Sequence, residues 1–105
     1  MSWFYLIVAA LFEIGWPLGM KISLDPDRRV LGLAMAALFM LVSGVLLWMA
    51  QREIPIGTAY AVWTGIGAVG TFVLGIVLFG DAATATRIAS ASLIVLGVIG
   101  LKLTQ

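Results

Sequence analysis

The sequence predicts an all-α integral membrane protein made of four short transmembrane helices. Three observations lead there. Of 105 residues, 63% are hydrophobic and only 10% charged, with a mean hydropathy of +1.16, whereas a soluble domain carries about 25% charged residues. A chain this short buries a limited fraction of its surface, so in water much of that apolar area would stay wet. The apolar residues also fall into four stretches near the roughly 20 residues that a helix needs to cross a bilayer.

The first stretch covers 3–22, the second 30–50, the third 54–79 and the fourth 87–104. The second carries no charge between Arg29 and Arg52, and the third none from Ile54 to Gly80. Arg87 and Lys102 frame the fourth and can extend their charged heads to opposite interfaces. Three short connections separate the spans. SLDPDRR (23–29) holds a Pro-Asp turn signal, QREIP (51–55) a proline, and GDAATAT (80–86) a glycine followed by Asp and Thr caps. Connections this short make neighbouring helices antiparallel. The chain 1–105 thus reads as a single four-helix transmembrane domain, and no cleavable leader is expected, because no basic region precedes Trp3.

Basic residues give only a weak orientation. Arg52 and Lys102 lie on the side of the termini and second loop, against Lys21, Arg28, Arg29 and Arg87 on the other. With so small a bias, insertion in both orientations is open. The chain has no histidine and no cysteine, which excludes disulfides, thiol chemistry and the common zinc and haem ligand sets. No metal or cofactor is expected. A net charge of +1 gives no case for nucleic acid, and no nucleophile–base pair suggests an enzyme.

One acid stands out. Glu13 is the sole acidic residue before Asp25 and lies deep in the first span. A charge at a helix centre costs about 2.5–3.5 kcal/mol on insertion scales, so an acid there is a functional candidate by default. The bland alternative is a fixed salt bridge or hydrogen bond between helices, for which Lys21, two turns away, is the nearest base. Loss of water disfavours the ionised form of any carboxylate. A proton and an organic cation then become rival ligands for one group, the minimum requirement for exchanging one against the other.

Glu13, Trp16, Pro17 and Met20 follow i, i+3, i+4, i+7 spacing and share a helix face, which the small Ala9 and Ala10 extend. Trp3 and Trp48 sit near span ends as interfacial anchors; Trp16 lies deeper and offers a π face beside the acid. Pro17 has no N–H, so the Glu13 carbonyl loses its helical donor. The expectation is a bend there, with a free acceptor bordering a hydrated site. On the third span Tyr60, Trp63, Thr64 and Gly67 repeat the same spacing, and Tyr60 can donate its hydroxyl to a carboxylate. Gly65 and Gly67 make a candidate bending point, although close helix packing explains glycines equally well. Ser43 is a candidate partner of Glu13 or merely bonds its own helix. Ser90 and Gly97, seven apart on the fourth span, read as helix-packing positions.

Glu13-x-x-Trp16 with Lys21, and PIGTAYAVWTGIGAVG at 55–70, together resemble the small multidrug resistance family of transporters, and within it the guanidinium-exporter subtype. The resemblance runs along essentially the whole chain. It implies an antiparallel homodimer of oppositely inserted subunits in the bacterial inner membrane, exporting guanidinium ions in exchange for protons by alternating access. It also implies that Glu13 takes proton and substrate, with Trp16, Ser43, Tyr60 and Trp63 around it. Pro17, Ala10 and the loop wording LDPDRRV depart from the family pattern and bear on helix geometry and substrate breadth. Guanidinium suits such a site, being planar, weakly hydrated and equipped with a fork of donors that matches a carboxylate. Two alternatives remain: a quaternary ammonium exporter on the same scaffold, and a non-transporting membrane assembly partner in which Glu13 only fixes packing.

Overall fold

The computed structural model describes residues 1–104. It is all-helical: α1 (Ser2–Ile22), α2 (Arg29–Ala50), α3 (Ile56–Phe79) and α4 (Ala85–Thr104), with one short 3-10 turn at Pro26–Arg28. All four helices are long and apolar enough to cross a membrane.

Local chemistry sets the ends. The Ser23 hydroxyl donates to the Met20 carbonyl at 2.6 Å where α1 stops. Asp25 then accepts from the Asp27 amide at 3.0 Å and starts the 3-10 turn, with Pro26 at its first position. Pro55 is the N-cap of α3. Ile54 therefore stays outside the helix, two residues later than the apolar pattern places the start, because a residue before proline avoids helical geometry. Ile54 is nonetheless buried. Gly80 ends α3 with φ at 70°, and the Asp81 amide reaches back to the Gly75 carbonyl at 3.0 Å. This left-handed turn is the common glycine-terminated helix end. The α4 helix begins at Ala85 rather than Arg87, because Thr84 accepts from the Arg87 amide at 3.3 Å.

The four helices form a flattened array of 45 × 34 × 16 Å. The α1 helix is its centre: it packs on α2 along one side and α3 along the other, while α4 packs on α3. In lipid no hydrophobic force holds helices together, so close backbone approach must supply the attraction. The α1–α2 seam uses Gly19 and Gly32 for this. A Cβ on Gly19 would lie 2.7 Å from both the Ala36 nitrogen and the Gly32 carbonyl oxygen. Ala9 and Ala10 are fully buried on the same helix. Below them Leu6, Ala50, Ile54, Ala59 and Val62 close the end of the array, where the Ser2 hydroxyl donates to Glu53 at 3.0 Å. By contrast, α4 buries none of its residues.

A methyl group forced into the α1–α2 seam meets backbone, which cannot move aside. Gly32→Ala should lower stability in detergent micelles by about 1–3 kcal/mol, read from equilibrium unfolding. Gly57→Ala, whose Cβ meets open space, should leave it unchanged.

Candidate functional site

The α1 and α3 helices run parallel, and two rows spaced four residues apart face each other across their seam. Ala9, Glu13, Pro17 and Lys21 lie on α1; Trp63, Gly67, Thr71, Gly75 and Phe79 lie on α3. Rows of this spacing are the ridges by which helices pack. Each level of the seam has its own contact.

Glu13 is half-buried and its side chain lies directly on Gly67, so that any Cβ on Gly67 would collide with the Glu13 Cγ. Trp16, one turn along the same helix, has its indole near the carboxyl, and that indole can act only as donor. One turn earlier, the fully buried Ser43 donates to the Ala9 carbonyl at 2.7 Å and accepts from the Trp63 indole nitrogen at 2.8 Å. That single hydroxyl ties α1, α2 and α3 together. Tyr60 stacks at a tilt on Trp63 with ring centroids 5.5 Å apart and is otherwise exposed. One turn beyond Glu13, Pro17 borders a cavity of about 210 Å³ whose wall includes Lys21, Thr71, Phe79 and Asp81. The Thr71 hydroxyl donates to the Gly67 carbonyl at 2.8 Å. Lys21 lies 5.7 Å from the centroid of the Phe79 ring.

Against known proteins, residues 1–94 match the family described as Small Multidrug Resistance protein. The chain belongs to the small multidrug resistance family. It is 49% identical over 104 residues to the guanidinium exporter of Escherichia coli (strain K12), covering 99% of this chain and 98% of that one. It is 50% identical over 110 residues to the guanidinium exporter of Yersinia pestis, covering all of both, and 47% identical over 104 residues to that of Citrobacter freundii. As a small multidrug resistance protein with four spanning helices, it is a multi-pass protein of the bacterial inner membrane.

The structure brings Glu13, Trp16 and Gly67 together and places Ser43, Trp63 and Tyr60 one turn below. Ser43 does not donate to Glu13, since its proton goes to the Ala9 carbonyl. Pro17 does not interrupt α1, which stays helical to Ile22. The two glycines of α3 face different helices. Gly65 leaves room for α4, where its Cβ would stand 2.7 Å from Val98, whereas Gly67 leaves room for the acid. Met20 is exposed, as is Thr64. Ser90 bonds the Thr86 carbonyl of its own helix at 2.9 Å, and a Cβ on Gly97 would meet nothing. Thr71 and Phe79 carry no signal of their own in sequence, and only the four-residue step from Gly67 through Gly75 points to them; Asp81 reads only as a helix-cap candidate.

Ser43→Ala strands the Trp63 donor in a buried setting and should cost about 1–3 kcal/mol, measured by unfolding in micelles, with a shift in tryptophan fluorescence. Gly67→Ala pushes the Glu13 side chain out of place. It should cost about 1–3 kcal/mol of stability, measured by equilibrium unfolding in micelles.

Proposed function

We propose that this chain exports guanidinium in exchange for protons, working as an antiparallel homodimer of oppositely inserted copies that alternates access between the two sides of the membrane. The observation that carries the reading is Glu13, an acid inside a membrane helix, seated on Gly67 with Trp16 beside it. Relatives that are guanidinium exporters along their full length support the choice of cargo.

The chemistry follows from the groups present. The ionised Glu13 carboxylate accepts two parallel N–H bonds from one edge of a planar guanidinium. The Trp16 indole holds the carboxyl in one orientation, and its ring and that of Trp63 offer faces to the cation. When a proton arrives from the opposite side, the neutral carboxyl no longer attracts the cation, which leaves. Because proton and cation never share the group, each passage of one permits the reverse passage of the other. The Ser43 bridge between three helices keeps the aromatic wall in register while the helices tilt as units. A tetraalkylammonium has no donors to offer and gains only the charge attraction of the carboxylate, not its paired hydrogen bonds. The exposed, unpartnered face of α4, with Ser90 and Gly97, serves as packing surface for the second copy.

The test is reconstitution in liposomes. An imposed guanidinium gradient should drive protons the other way, and Glu13→Gln should abolish that flux by at least a hundredfold. Movement of guanidinium without protons would overturn the coupling. Uptake of a tetraalkylammonium in preference to guanidinium would overturn the cargo.

A further inference from the structure

The cavity beside Pro17 is not used by the exchange at Glu13, yet it has the two elements of a cation site. One is a carboxylate: Asp81 follows the left-handed Gly80, is anchored by its amide to the Gly75 carbonyl, and turns its side chain back against Gly75. The other is an aromatic face: Phe79, which Lys21 already occupies with its ammonium group. A carboxylate beside an aromatic ring is the same pairing that Glu13 makes with Trp16 one to two turns deeper. The cavity, at about 210 Å³, far exceeds the ~10–15 Å³ needed for one water. It lies on the seam between Glu13 and the membrane surface, with Lys21 about 12 Å of helix rise above the acid. Its wall is polar at Thr71, and Pro17 leaves the Glu13 carbonyl without a helical donor.

We propose that this cavity is a vestibule in which a guanidinium-type cation docks between Asp81 and Phe79 on its way to or from Glu13, and that Lys21 is a tethered competitor for the Phe79 face. The proposal rests on the guanidinium reading above. Lys21 closes the ring while the vestibule is empty and gives way to an arriving cation, which Asp81 attracts through the open end of the seam. In an antiparallel dimer one vestibule faces each side of the membrane.

Guanidinium itself is the probe. Wild type, Asp81→Asn, Asp81→Glu and Lys21→Gln are reconstituted, and initial guanidinium-driven proton flux is followed against guanidinium concentration. Asp81→Asn should raise KM roughly tenfold with kcat held, Asp81→Glu should restore it, and Lys21→Gln should lower KM. The gap between wild type and Asp81→Asn should close in high salt, because the attraction is screened. A merely structural helix-end role for Asp81 would move kcat or folding yield and leave KM and its salt dependence unaltered, which overturns the proposal. If Asp81→Asn fails to fold, Lys21→Gln alone decides, and an unchanged KM refutes the vestibule. Guanidinium flux that needs Glu13 but ignores both Asp81 and Lys21 sinks the vestibule and spares the exporter. Absence of guanidinium flux in wild type sinks both.

Discussion

A carboxyl group resting on a glycine inside a membrane helix pair is the contact around which this protein is arranged. Lipid offers no solvent for an acid, so the acid must find its room and its polar neighbours within the protein. Gly67 supplies the room, because any side chain there would occupy the Glu13 Cγ position. Trp16 stands beside the acid with an indole N–H, from the next turn of the same helix. The close approach of α1 and α3 at this level follows from seating the acid on Gly67, and their parallel course from the two short connections through α2.

The same seam differs on the two sides of Glu13. Below Glu13 it is sealed by the Ser43 bridge, in which one hydroxyl satisfies a carbonyl of α1 and an indole of α3. One turn above Glu13, Pro17 and Thr71 border the cavity whose wall also includes Lys21 and Asp81.

Basic side chains at the helix ends lie over aromatic rings: Lys21 over Phe79, Arg52 over Trp48, Arg87 over Phe72 and Lys102 over Trp3, at 4.7 to 5.7 Å from the ring centroids. Such pairs suit the interface, where an apolar stem and a charged head are both accommodated. Two of these pairs sit at each end of the array, while Arg29, part of the charge excess at one end, instead donates to the Ser23 carbonyl at 3.4 Å.

Composition and spacing determined, without any structure, that this is a four-helix membrane protein, since lipid demands long uncharged helices and leaves few other ways to satisfy a backbone. They also singled out Glu13 as the functional candidate, because an acid in such a segment is costly whatever surrounds it. Their limit was the choice among equivalents. Gly65, Gly67 and Gly70 look alike in sequence, and only the packing of α3 between α1 and α4 decides that Gly65 faces Val98, Gly67 faces Glu13 and Gly70 faces Ile14. Ser43 has one proton, and only the arrival of Ala9 and Trp63 beside it decides where that proton goes. Periodicity names a helix face, but which neighbour that face meets depends on helix order and depth. Those are set by contacts between residues far apart in the chain, and no local pattern records them.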